Sequence, residues 1–161
     1  MNQIYITETF KLPKWRQICA IITLLLCGGA CLITIWQSLE NPKVLIATAI
    51  LLLVIVSIYV YIRTRLELSD QEIMYFDGMK PVYVKWSNVV AIDMKMKGKY
   101  SELEVFVYYD NRRFTLDATH FGKKQLKRIL ELLEMKVDQS LFSPSYQQLR
   151  AERLPRSVAS K

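Results

Sequence analysis

Metal binding and acid–base chemistry would draw first on this 161-residue chain's one histidine, three cysteines and fifteen acidic side chains. His120 stands alone at the start of a helical pattern and reads as a capping or packing residue, and a single histidine excludes any multi-histidine metal site. Cys19, Cys27 and Cys31 all fall inside one uncharged, apolar stretch. A disulfide framework is therefore excluded, and thiols in lipid are poor nucleophiles because nothing there stabilises the thiolate. Among the carboxylates, Glu102 and Glu104 have lysines opposite them in the expected hairpin, and Glu131 follows Lys127 at i+4, where it can pair. No glycine-rich phosphate loop, nucleophile elbow or paired-acid arrangement occurs. The expectation is a non-enzymatic protein with no catalytic residue, metal or cofactor.

The basic residues say more. The formal net charge is +7. From Arg63 to Gly122 nine basic residues balance nine acidic ones, whereas Lys123 to Lys136 holds five against two and Val137 to Lys161 four against two. Lys123, Lys124, Lys127 and Arg128 crowd the first half of a helical segment, where the macrodipole disfavours cations by about 0.3–1 kcal/mol each. A solvated face is the simplest account. The functional one is attraction to an acidic partner or to anionic lipid, worth about 1 kcal/mol per basic residue close to the surface. Charge reversal at Lys124 and Arg128 is then expected to weaken such binding while leaving the fold intact or slightly stabilised.

Two stretches must position this surface. Gln17 to Leu39 and Val44 to Ile62 carry no charge over 23 and 19 residues. At ~1.5 Å per residue they reach roughly 35 and 28 Å, against a hydrocarbon core of about 30 Å. The first is too long for a cleaved signal segment, so both are read as retained spans, joined by a turn at Glu40 to Lys43 into an antiparallel hairpin. Lys11, Lys14 and Arg16 precede the first span, only Lys43 lies between, and Arg63 and Arg65 follow the second, so both termini are expected on the cytoplasmic side. Arg16, Arg63 and Arg65 are juxtamembrane residues, and Trp15, Tyr59, Tyr61 and Trp36 are interfacial anchors. Ala20, Thr23, Cys27, Cys31 and Thr34 share one face of the first span, with Gly28 and Gly29 beside it. Such small residues allow close packing, here on the second span or, as the sharper option, on another copy of the chain. A freely diffusing nucleic-acid factor is excluded, and no nucleic-acid partner is expected.

From Leu66 to Asp117 the apolar period becomes two, broken by turn residues at short intervals. With Gly98 to Ser101 as a loop, Lys97 faces Glu102 and Lys95 faces Glu104 on one side, while Met96, Met94 and Ile92 face Leu103, Val105 and Val107 on the other. Asp110 and Asn111 tolerate the positive φ of a type I′ turn, which sets Val107 opposite Phe114 and Val105 opposite Leu116. Thr119 is the expected N-cap of a helix from His120 to Met135, whose Leu126, Ile129, Leu130 and Leu133 stripe must cover a sheet. Trp86 is expected in that core. Residues 137–161 read as a basic tail, in which Ser143-Pro144 starts a short helix through Arg153.

A transmembrane hairpin running directly into short antiparallel strands and a closing helix resembles the membrane-attached bacterial pleckstrin-homology-like proteins. The most similar strings are Leu66-Glu67-Leu68-Ser69-Asp70-Gln71-Glu72-Ile73, as an opening hairpin, and Val84-Lys85-Trp86-Ser87-Asn88-Val89-Val90-Ala91-Ile92, as strand, Trp-Ser turn and strand. The resemblance covers Leu66 to about Lys136. It implies an α+β membrane protein with a cytoplasmic domain over residues 63–136, an antiparallel sheet or partly open barrel closed by one C-terminal amphipathic helix. Six strands are countable where that family usually has seven, and the acidic first loop lacks the basic character of phosphoinositide binders. The expected role is a membrane-anchored module that binds a protein partner or membrane complex, with anionic-lipid sensing or lipid handling as the alternative.

Overall fold

The computed structural model describes residues 7–37, 42–98 and 102–154. The chain divides into two compact units: one holds the strands and the C-terminal helices, the other the two long apolar helices together with Phe76–Pro81.

In the hairpin unit, α1 (Lys14–Gln37) and α2 (Pro42–Arg63) are both long and apolar enough to cross a membrane, and almost none of either span is buried within the molecule. Their packing on each other uses the small-residue face of α1. Cys31 is buried, and the Thr34 hydroxyl meets the Thr48 hydroxyl of α2 at 3.2 Å while also donating to the Cys31 carbonyl. The face divides, however. Thr23 stays exposed with its hydroxyl on the Cys19 carbonyl, and side chains at Gly28 and Gly29 would meet nothing within 4 Å. The expected turn lies at Glu40 and Asn41, outside the described residues; Pro42 and Lys43 already belong to α2, where proline suits a first turn.

Among the described residues seven strands form two separate antiparallel-type sheets that do not close into a barrel: β1 (Glu8–Lys11), β2 (Arg65–Leu68), β3 (Glu72–Phe76) and β4 (Pro81–Lys85) in one, β5 (Val89–Lys97), β6 (Glu102–Tyr109) and β7 (Arg112–Asp117) in the other. The six strands expected after the hairpin are β2–β7, and β1 adds a seventh outside that stretch. It lies before the first span, in a segment with too few apolar residues to show a period of two, and only Phe10 of its four residues is buried. The second sheet has the expected register: Met94 pairs with Val105, Ile92 with Val107, Val107 with Phe114 and Val105 with Leu116, and Asp110 and Asn111 both take positive φ. The Gly98–Ser101 loop is described only at Gly98, whose φ is +69°. A break in register between Val89 and Ala91 bends the start of β5.

The helical end differs from the expectation in its first cap and in a break at Gly122, while the short helix from Ser143-Pro144 through Arg153 is present as expected. Asp117, not Thr119, caps the first turn by accepting from the Thr119 amide, and a short α3 (Ala118–Phe121) ends at Gly122, whose φ of 78° and ψ of 154° break the helix. A second helix, α4 (Lys123–Lys136), starts there and buries Leu126, Ile129, Leu130 and Leu133. The chain then continues past it. Ser143 donates its amide to the Ile92 carbonyl (2.9 Å) and its hydroxyl to Asp93 (2.5 Å), seating the segment on the free edge of β5 before α5 (Pro144–Arg153) begins. One cluster contains Val105, Val107, Phe114 and the whole α4 stripe. Trp86 is only partly buried against it; its indole N–H donates to the Ser69 carbonyl at 2.9 Å, which ties the turn before β5 to the first hairpin.

Candidate functional site

The four basic residues singled out from the sequence do not form one surface of equivalent cations. Lys123 and Lys124 are exposed in the first turn of α4, at an N-terminus whose cap, Gly122, has no side chain to accept from the orphan amides and which has no acidic residue nearby in sequence. Lys127 is partly covered. Arg128 is engaged: its Nη2 and Nε donate to the two carboxylate oxygens of Glu8 on β1, at 2.5 and 3.1 Å, and its Nη1 lies 3.9 Å from Glu131. The Glu8 carboxylate raises Arg128 further above its already high value. At the other end of α4, Lys136 donates to Asp70 at 2.5 Å. The acidic first hairpin loop thus serves an internal contact, and α4 is fastened at two points to strands of the first sheet or their turn.

The juxtamembrane arginines share aromatic contacts within the hairpin unit. Arg16 stacks over Trp15 at 5.1 Å. Arg63 and Arg65 both approach the Phe76 ring, at 5.2 and 5.6 Å, and Arg63 also donates to the Tyr59 hydroxyl at 3.1 Å. Cation–π contacts of this kind hold planar guanidinium groups well. Phe76 opens a tight turn in which Asp77 accepts from the Met79 and Lys80 amides at 2.8 Å each. Those bonds hold Asp77 below the usual carboxylate range. Gly78 follows with φ +95°, and a Cβ there would lie 2.2 Å from the Val60 carbonyl oxygen of α2.

His120 is buried edge-on against Phe121, in keeping with packing, and no cluster of His, Cys, Asp and Glu able to hold a metal occurs among the described residues. The carboxylates of the second sheet are placed as partners too. Lys97 reaches diagonally to Glu104 at 2.7 Å, and Lys95 turns to Asp93 at 3.3 Å.

A site not anticipated from the sequence lies between α4 and α5. Arg150 is 4% exposed. Its Nε donates to Glu134 Oε1 at 2.7 Å, Nη1 donates to the Leu154 carbonyl, and Nη2 has no partner among the described residues. The same Glu134 oxygen accepts from the Tyr146 hydroxyl at 2.9 Å. Burial, and then the neighbouring Glu134 charge, push the Tyr146 phenol far up, so it stays a neutral donor. These residues border a cavity of about 520 Å³ together with Phe142, Gln139 and Gln147. Sequence offered one signal, the i+4 spacing of Tyr146 and Arg150 after a Ser-Pro helix start, but the partner Glu134 is on another helix. A charge count along the chain therefore assigns Arg150 to the basic tail.

Compared with protein families, with curated proteins and with solved structures, the chain matches none of them. Nothing in those comparisons identifies a pleckstrin-homology-like domain.

Proposed function

We propose that this protein is a membrane-anchored, non-enzymatic interaction module, in which the hairpin lies in a bacterial cytoplasmic membrane with both termini in the cytoplasm and the strand-bearing unit binds a protein partner or membrane complex there. The observation that carries this reading is the pair of long apolar helices, almost unburied within the molecule, with only Thr64 between the end of α2 and the start of β2. Apolar surface on that scale needs another solvent, and a connection of one residue leaves the folded unit no freedom to act far from it. The charged side chains of the domain support binding over catalysis, because Glu8, Asp70, Glu104 and Glu134 each hold a structural cation. Six strands after the hairpin, β2–β7, followed by a helix packed on them, are what supports the pleckstrin-homology-like resemblance as part of the same proposal.

The test is photocrosslinking in living host cells, with the reactive side chain placed at Lys124 and, separately, at Gln147 of the full chain. A discrete crosslinked protein species is expected from one or both positions. Crosslinks to lipid alone would overturn the reading. A reporter fused after Lys161 should be active only on the cytoplasmic side, and activity on the opposite side would remove the proposed location.

Anionic-lipid sensing is the second reading, favoured by one observation: two exposed lysines sit at an uncapped helix N-terminus, where the helix dipole alone would repel them. In lipid nanodiscs, anionic lipid should then shift the amide resonances of the first turn of α4 at low salt. Identical spectra in neutral and anionic discs would remove this reading.

A further inference from the structure

We propose that the turn between β3 and β4 is a third membrane-contacting element, in which the Met79 side chain enters the bilayer beside the end of α2. This rests on the membrane placement of the hairpin and extends it to a residue outside both spans. The turn belongs to the hairpin unit. Gly78 is buried there, and a Cβ on it would clash with the carbonyl oxygen and Cγ1 of Val60, so its backbone lies directly on α2. Met79, the next residue, is 71% exposed.

The level of that contact decides what Met79 meets. Val60 stands two residues before Ile62, the end of the uncharged run, and so lies roughly 3 Å inside it along the helix axis. The run reaches only about 28 Å against a hydrocarbon core of about 30 Å, so none of it is spare and Val60 falls within the apolar layer. A side chain that leaves the backbone at this level, uncovered by protein, meets lipid rather than water. Isolated exposed apolar residues are ordinary on a water-facing surface. Here the surface is continuous with the span, where Val56 and Tyr59 of α2 are themselves more than half exposed. An unbranched thioether adapts readily to mobile acyl chains.

The rest of the turn suits that depth. Backbone N–H groups cannot be left bare in an apolar layer. The Asp77 carboxylate accepts from the Met79 and Lys80 amides at 2.8 Å each, so the donors at the tip and the charge that binds them are satisfied together. Lys80 is exposed, and its long stem lets the ammonium rise to the phosphates while its methylenes stay in apolar surroundings. Arg63 and Arg65, both over the Phe76 ring, supply cations just beyond the end of the uncharged run. Because the turn joins β3 to β4, insertion of Met79 gives the chain an attachment to the bilayer in addition to the Thr64 connection.

The experiment is methyl NMR on the full chain in phosphatidylcholine nanodiscs, a neutral lipid because the contact is apolar. The Met79 methyl is identified as the resonance that Met79→Leu removes. Its relaxation is measured with a lipid spin-labelled high on the acyl chain and, separately, with a water-soluble gadolinium chelate. The labelled lipid should relax it several-fold more than the chelate does. In Gly78→Ala, whose Cβ forces the turn off Val60, that ratio should fall several-fold. The proposal is overturned if the chelate alone relaxes Met79, which puts it in water, if neither agent does, which puts it under protein, or if Gly78→Ala leaves the ratio unchanged. Should Gly78→Ala fail to fold, the two agents on the unaltered chain carry the test. A labelled methyl at Leu53, midway along the run and 68% exposed, separates this proposal from the reading beneath it. Leu53 relaxed by the lipid while Met79 is not removes the turn and leaves the hairpin in the bilayer, whereas Leu53 relaxed by the chelate removes both.

Discussion

Breaking the Glu8–Arg128 pair tests the seventh strand and the basic helix together. Both contacts are short and bidentate, and the side chains are 29% and 49% exposed, so the pair is neither fully solvated nor desolvated. Coulomb attraction between unit charges about 4 Å apart is worth roughly 4 kcal/mol at an effective dielectric of 20. Holding two long side chains in one geometry and stripping part of their water take most of that back, and measured coupling energies for exposed pairs run at about 0.2–1 kcal/mol. Bidentate geometry places this pair near the top of that range. A double-mutant cycle with Glu8→Ala and Arg128→Ala, read by thermal unfolding of the full chain in detergent, should therefore give a coupling of about 0.5–1 kcal/mol at low salt. Near 1 M salt, where the screening length is about 3 Å, the coupling should fall well below that. Arg128→Glu should destabilise, because it sets a third carboxylate beside Glu8 and Glu131. That outcome reverses the expectation from sequence, in which only the helix dipole acts on position 128 and charge reversal there is neutral or favourable. A coupling of zero at low salt would show that β1 does not lie beside α4.

Three further outcomes follow from the packing. Leu130→Ala empties a fully buried position in the α4 stripe and should cost about 2–5 kcal/mol, read by chemical unfolding of the domain; unaltered stability would mean that α4 does not cover the sheet. Gly78→Ala adds a Cβ 2.2 Å from the Val60 carbonyl oxygen at a φ of +95°, and should cost about 1–3 kcal/mol and speed proteolysis within Phe76–Pro81; wild-type cleavage would refute the close approach. Burial opposes the ionisation of Asp93, but bonds from the Ser143 hydroxyl, the Met94 amide and Lys95 outweigh it and leave its pKa lowered. Its stabilising contribution is therefore complete above the unfolded carboxylate value of about 3.9 and is lost as pH falls below it, so acid should speed hydrogen exchange in α5, and Asp93→Asn should flatten that dependence.

What was legible in the sequence depended on local alternation. β6, β7 and β5 from Ile92 onward alternate, with a positive-φ turn between β6 and β7, and pairs such as Met94 with Val105 and Val107 with Phe114 can be read residue by residue. The α4 stripe was legible for the same reason, since its period is internal to one segment. β1 was not, because four residues with one buried side chain have no period, and what holds them is a neighbouring strand and Arg128 on a helix far along the chain. Gly122 was passed over because a helix interrupted at one residue keeps nearly the same apolar spacing on both sides. Arg150 was missed through charge counting, which treats every basic residue outside a patterned segment as solvated.

That counting also exaggerated the basic helix. The segment from Lys123 to Lys136 carries an excess of three, yet Arg128 and Lys136 are balanced by Glu8 and Asp70, which linear bookkeeping assigned to other parts of the chain. Arg150, from the region counted as tail, is likewise balanced by Glu134 of α4. Of the five basic residues of α4, those without a carboxylate contact of this kind among the described residues are Lys123, Lys124 and Lys127, all within its first five residues. Any external anion therefore meets a compact site at the start of one helix rather than a charged face along its length. Such a site gives modest, salt-sensitive attraction, enough to orient a partner but not to identify it.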